Sequence, residues 1–136
     1  MQLNPYLSFN GQCEAAFRFY EKCLGGKIEA MVTYAETPMA GELPPEWRGK
    51  IVHARLRAGD HLLMAGDPPP PHYEPMKGCS VSITVKEPAE AERLFHALAE
   101  GGTVRMPIQQ TFWSVRFGMF TDRFGIPWMI NCEQAP

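Results

Sequence analysis

The chain has 136 residues, 45% of them hydrophobic and 21% charged, with a formal net charge of −2. That length suffices for one domain with a real core. The composition lacks the clustered Lys and Arg of a nucleic-acid surface, and no apolar run approaches the roughly 18 residues of a membrane-spanning helix. The opening residues Met-Gln-Leu-Asn-Pro-Tyr have neither the basic nor the apolar region of a secretory signal, so a cytoplasmic location is expected. The four cysteines (13, 23, 79 and 132) show no CxxC and no zinc-type spacing, and they read as reduced thiols.

In chain order, Leu3–Phe9 alternates as a strand, and a helix is predicted over about Gln12–Leu24, where apolar residues recur at three- and four-residue steps. Strands are predicted at Ile28–Tyr34, Ile51–Arg57 and His61–Ala65, the first two separated by a Pro- and Gly-rich loop, Ala35–Gly49. The prolines of 68–71, with Tyr73 and Pro75, read as a linker in which His72 is exposed. A strand at Ser80–Val85 precedes a second helix at about Pro88–Glu100, with Pro88 and the Glu-rich segment 87–92 suited to its first turn. Strands at Val104–Gln109, Trp113–Phe120 and Trp128–Cys132 complete the chain, the last two flanking a turn at Asp122–Gly125.

The order is β-α-β-β-β, twice. Without gaps, Ala15 aligns with Ala91, Phe19 with Phe95, and Gly25-Gly26 with Gly101-Gly102; Met64 in the last strand of the first half matches Met129 in the second. The expected fold class is therefore α+β, with two βαβββ modules in one domain: about 1–67, a proline-rich linker at about 68–76, and about 77–136. One helix covers one face of each four-stranded sheet, so alternation separates the faces. Val52, Ala54 and Leu56, Val81, Ile83 and Val85, and Trp128 and Ile130 read as facing a helix. His53 and Arg55, Ser80, Ser82 and Thr84, and Met129 and Asn131 read as facing away, on a mixed polar and sulfur-containing surface.

Several segments resemble the PhnB-like branch of the vicinal-oxygen-chelate superfamily, which includes glyoxalases, bleomycin-resistance proteins and extradiol dioxygenases. They are Pro5-Tyr-Leu-Ser-Phe-Asn-Gly11, Phe19-Tyr20 with Leu24-Gly25-Gly26, Gly78-Cys-Ser-Val-Ser82, and the tail from Gln109 to Asn131. Together they cover essentially the whole chain. The tail pattern Thr-Phe-Trp-x4-Gly-x3-Asp-x2-Gly-x2-Trp-Met-x-Asn is the most specific of them. Proteins of this look are often labelled demethylubiquinone-methyltransferase-type domains, but no Gly-rich loop after a strand offers an S-adenosylmethionine site here. The resemblance implies four metal-ligand positions, one in the first and one in the last strand of each half, usually His and Glu. Carried over, they fall at Asn4, Met64, Ser80 and Met129, with one residue of register open in the first strands. Thioether and hydroxyl groups are poor ligands for Mg, Mn, Fe or Ni. The expectation is no metal and no cofactor, as in the ligand-sequestering members.

The candidate ligand contacts from the first half are Tyr6, Ser8, His53, Arg55 and Met64. Those from the second are Ser80, Ser82, Gln109, Trp113, Met129 and Asn131. His53 reads as a general base or stray ligand, or as a strand histidine satisfied by hydrogen bonds. Arg55 reads as an anion contact or a salt-bridge partner. Glu29 and Glu133 are the carboxylates of a non-standard catalytic site, if one exists. Cys13 is a thiol near a helix start, with no sequence-placed partner to activate it. Gln110 reads beside Gln109 as a polar residue ahead of the aromatic pair. The expected partners are a small-molecule ligand and a second copy of the chain in a homodimer, with neither nucleic acid nor membrane. A metal-independent binding protein is the primary expectation; an enzyme built on His53 or a nearby carboxylate is the alternative.

Overall fold

The computed structural model describes residues 1–133. The chain divides into two compact units, Met1–Pro75 and Met76–Pro136. The first contains β1 (Tyr6–Ser8), α1 (Cys13–Leu24), β2 (Lys27–Thr33), β3 (Ile51–Ala58) and β4 (His61–Gly66). The second contains β5 (Val81–Val85), α2 (Pro88–Ala99), β6 (Thr103–Gln109), β7 (Ser114–Thr121) and β8 (Pro127–Glu133). Each unit builds its own four-stranded sheet, in the orders β1-β4-β3-β2 and β5-β8-β7-β6. Among the described residues, only β1–β4 and β5–β8 pair in parallel. The βαβββ order thus occurs twice, in an α+β fold.

Each helix seals one face of its own sheet. In the first unit, Ala16, Phe17 and Tyr20 of α1 are fully buried, as are Ala54 of β3 and Ala65 of β4, with Leu7, Phe9 and Leu56 at most 1% exposed. In the second, Phe95 of α2 meets Phe120 of β7 edge-to-face at 5.2 Å, a favoured ring geometry. Trp128 and Ile130 of β8 lie in the same core. The paired glycines after each helix have a shared cause. Gly25 and Gly101 take positive φ, +67° and +77°, to end the helices. Gly26 and Gly102 sit where a Cβ would strike the Arg57 and Thr121 carbonyl oxygens.

The structure corrects several details of the sequence reading. Between α2 and Gly101 stands one extra residue, Glu100, so the gapless helix alignment slips by one position. Ala16, Tyr20 and Cys23, not Ala15 and Phe19, share the buried face that Ala91, Phe95 and Leu98 form in α2. A register break beside Val32 and Thr33 leaves Val52 unpaired in β3, so Ile51 rather than Val52 enters the core. β1 begins at Tyr6 instead of Leu3, because Pro5 has no N–H to donate, although its carbonyl still accepts from Met64 N at 3.1 Å. Trp113 precedes β7. The loop 35–49 folds as short 3-10 turns, and another, Pro70–His72, lies in the linker.

A buried carboxylate ties the first unit together. Asp67, 1% exposed, accepts the backbone N–H groups of Gly11 (2.9 Å), Cys13 (3.1 Å) and Ile51 (3.0 Å). Its own carbonyl accepts the Tyr34 hydroxyl at 2.7 Å. Burial lifts its carboxyl above the ordinary range, while the three N–H donors and Lys50 pull the other way. In the second unit Asp122 closes the β7–β8 turn, accepting from Phe124 N, Ile126 N and Trp128 Nε1 at 2.8, 3.0 and 2.8 Å. Asp67→Ala leaves three N–H donors without their acceptor, at about 1–3 kcal/mol each where they stay dry. Urea unfolding should show a loss of at least about 3 kcal/mol on that basis; a loss under about 1 kcal/mol would mean that water replaces the carboxylate.

Candidate functional site

Directly paired residues share a sheet face, so the strand register fixes which side chains stand together opposite the helices. On sheet one, the row Ala30–Arg55–Met64–Tyr6 crosses all four strands. One step along, Val32 pairs with His53 and Gly66 with Ser8. On sheet two, the corresponding row is Met106–Met119–Met129–Ser82, followed by Gln109–Phe117–Asn131–Thr84. The two sheets therefore carry the same rows with different chemistry.

The sheet-one row is polar and aromatic. The Tyr6 ring leans across Gly66, where an added Cβ would lie 2.9 Å from the phenol oxygen. That oxygen is 3.4 Å from the Val52 carbonyl, and the ring stacks on His53 with centroids 5.9 Å apart and planes 23° apart. Burial first, then the Cys13 and Tyr34 groups, raises the Tyr6 pKa above its ordinary value, so the phenol stays a neutral donor. Arg57, two residues beyond Arg55 on the same face, is held by Glu29 at 2.8 Å. The hydrogen bond from Arg57 holds the Glu29 carboxyl below the usual carboxylate range, helped by the charges of Arg57, Arg55 and Lys27. None of the ion pairs among the described residues uses Arg55.

Sheet two offers thioethers, rings and neutral polar groups. Phe117 is buried beneath Trp113, whose centroid lies 5.4 Å away; Phe112 meets Trp113 edge-on at 4.6 Å and is 90% exposed. Ser114, fully buried, places its hydroxyl 2.6 Å from Asn131 Oδ1 and 2.6 Å from the Cys132 carbonyl. That contact orients the Asn131 amide with its oxygen engaged. Sequence reasoning missed Ser114, since nothing in Trp-Ser-Val marks a serine as buried. Gln109 lies on the open face and is exposed; Gln110 is exposed outside the strand. A shallow hollow of about 520 Å³ lies at one end of this sheet, lined by Thr84, Lys86, Val115 and Glu133 among others, away from Met129.

The register moves two of the carried-over positions. Tyr6, not Asn4, pairs with Met64, and Ser82, not Ser80, pairs with Met129; Asn4 and Ser80 precede their strands. The donors are then a phenol, a hydroxyl and two thioethers, which do not fit a hard divalent cation. No group of three His, Cys, Asp or Glu side chains converges among the described residues. Glu133 ends β8, exposed and paired with Ser114, and His72 is exposed in the linker. Cys13 is fully buried, and burial first, then the Asp67 charge, drives its thiol pKa far upward. A thiol held protonated is no nucleophile.

Residues 2–130 match the family described as the Glyoxalase/Bleomycin resistance protein/Dioxygenase superfamily. The chain belongs to this superfamily. It is 33% identical to Protein YjdN of Escherichia coli (strain K12) over 145 residues, covering 100% of this chain and 99% of that protein. Among solved structures, it is 54% identical to protein PA1353 from Pseudomonas aeruginosa, with a TM-score of 0.90 and 99% of each chain covered. It also shares the fold of a putative 3-demethylubiquinone-9 3-methyltransferase, PhnB protein, from Bacillus cereus: 24% identity, TM-score 0.78, 97% of this chain and 99% of that one covered. YjdN and the PhnB protein together support the PhnB-like branch within the superfamily.

The thiols give a direct check on the placement of the cysteines. Cys79 is exposed, whereas Cys13, Cys23 and Cys132 are buried. A disulfide reagent should titrate one thiol in the native protein and all four in denaturant. Rapid native modification at Cys13 would contradict its structural role.

Proposed function

We propose that this superfamily member binds a small organic molecule without a divalent metal, for sequestration or sensing. The observation that carries the proposal is the pairing of Met64 with Tyr6 and of Met129 with Ser82, which fills the implied ligand positions with weak donors. The rows around them suit a ligand with an apolar body and a few polar groups. On sheet one, Met64 supplies an adaptable apolar contact, with Tyr6, His53 and Arg55 as directional groups; on sheet two, Met106, Met119 and Met129 supply the apolar contact, with Ser82 and Asn131 as directional groups. The catalytic alternative is less well supported: Glu29 is held by Arg57, and Glu133 stands at the far end of β8.

Purified protein should contain no stoichiometric nickel, zinc, manganese or iron, and chelator should leave its melting temperature unchanged, since no metal-binding energy is coupled to folding. A thermal-shift screen of small organic molecules should produce stabilising hits. One equivalent of a divalent metal bound through His53 or Glu133 would overturn the proposal.

On this reading the chain is also a single domain with residues 68–76 as its linker, and two chains form a homodimer in the cytoplasm. The support for a dimer is the apolar surface each chain leaves exposed: Leu3 is 96%, Phe112 90% and Trp113 47% exposed. Light scattering coupled to size exclusion should give twice the chain mass of 15.3 kDa; a mass of one chain at micromolar concentration would refute the dimer. No described helix is long and apolar enough to cross a membrane.

A further inference from the structure

Resting on the binding reading above, the chemistry of the two sheets narrows the ligand further. We infer that the open face of sheet one is a subsite for an aromatic monocarboxylate, with Arg55 as its anchor and the Tyr6–His53 pair as the surface for its ring.

The argument starts from the repeated rows. Arg55 and Met119 occupy matching places, each directly across from the methionine of the last strand, Met64 or Met129. Tyr6 and Ser82 likewise match on the other side of those methionines. Within these rows Arg55 is the only residue with a permanent charge. It stands half-exposed in mid-sheet rather than at a strand end. Its neighbour Arg57 is committed to Glu29 at 2.8 Å, while Arg55 enters none of the ion pairs of the described residues. A guanidinium on an otherwise uncharged row is a recognition element for a planar anion, which it meets with two parallel N–H bonds.

The ring surface is the second, independent observation. The Tyr6 and His53 rings are stacked with planes within 23° of each other, and Tyr6 is 52% exposed, so a ligand ring can extend the stack beside Arg55, which lies two residues from His53 on the same strand face. Gly66 is what allows this, because a side chain there would occupy the space of the Tyr6 phenol. Met64, directly across from Arg55 and Tyr6, supplies a polarizable contact between the charged and the flat parts. One guanidinium that enters no ion pair of the described residues matches one negative charge, which favours a carboxylate over a dianionic phosphate or phosphonate.

Isothermal titration of the full chain with benzoate, its neutral isostere benzamide, cyclohexanecarboxylate and phenylphosphonate separates these features. Benzoate should bind more tightly than each of the other three. Arg55→Gln should weaken benzoate at least about tenfold, the scale of one lost charge-assisted hydrogen-bond pair, and leave the far-UV circular dichroism unchanged. Arg55→Lys should restore only part of the loss, because an ammonium cannot make the paired contact. Tyr6→Leu should bring benzoate down to the level of cyclohexanecarboxylate. Benzamide equal to benzoate, or Arg55→Gln without effect, would overturn the inference and leave metal-free binding standing. Phenylphosphonate tighter than benzoate would overturn the carboxylate assignment. No heat or thermal shift from any of the four would overturn the subsite, and a broad organic screen without hits would remove the binding reading as well.

Discussion

The Asp67 carboxylate is the contact on which the arrangement of the first unit depends. It sits one residue beyond β4 and accepts N–H groups from Gly11 before α1, from Cys13 at the first residue of α1 and from Ile51 at the first residue of β3. Those places are the segment that follows β1, the start of the covering helix and the start of β3, and β1 and β3 are the two neighbours of β4 in the sheet. Fixing them together fixes the parallel register of β1 on β4 and the antiparallel register of β3 on β4. A slip by one residue in either pairing would turn its whole strand over. Tyr6 or Arg55 would then point at α1, and Leu7 or Ala54 at solvent. The order of the open face is thus a consequence of a buried charge that never touches it.

The second unit reaches the same register differently. Asp122 acts inside a single turn, binding two backbone N–H groups of the β7–β8 connection and the indole of Trp128. It anchors an antiparallel hairpin and a core residue, whereas Asp67 spans separate segments. This difference fits the loops. The first unit has a long excursion between β2 and β3, carrying Tyr34, whose hydroxyl reaches the Asp67 carbonyl; the second connects β6 to β7 through residues 110–113 alone. With the backbone secured in two ways, the open-face side chains are free to differ. The rows show that freedom, with a guanidinium and a phenol on one sheet and thioethers and a hydroxyl on the other.

Much of this was legible in the sequence because periodicity reports faces. The βαβββ order, both helices, the core places of Trp128 and Ile130, and the open-face places of His53, Arg55, Met129 and Asn131 all follow from alternation. Legibility failed where one residue was inserted. Glu100 before Gly101 turned the helix comparison by one position, about 100° of rotation, and the unpaired Val52 moved Ile51 into the core. Neither leaves a compositional trace. Asp67 and Ser114 were missed for another reason: their importance lies in backbone N–H groups and an amide distant in sequence, which no local pattern encodes.

The row comparison also bears on selectivity. A wall of Met106, Met119 and Met129 is unbranched and polarizable, and it adapts to many apolar shapes at small cost. A ligand on such a wall would gain affinity and little discrimination from it. The Tyr6–His53 stack and Arg55 are different in kind. Their rings and guanidinium are planar, and Gly66 and the strand register limit where they can stand. Discrimination arises where a mismatch strands a polar or charged group without a partner. By that criterion the selectivity of the proposed sheet-one subsite would rest on Tyr6, His53 and Arg55. Drift among the methionines should therefore be tolerated, whereas a change at Gly66 should disturb recognition without touching the ligand, by displacing the Tyr6 ring that rests over it.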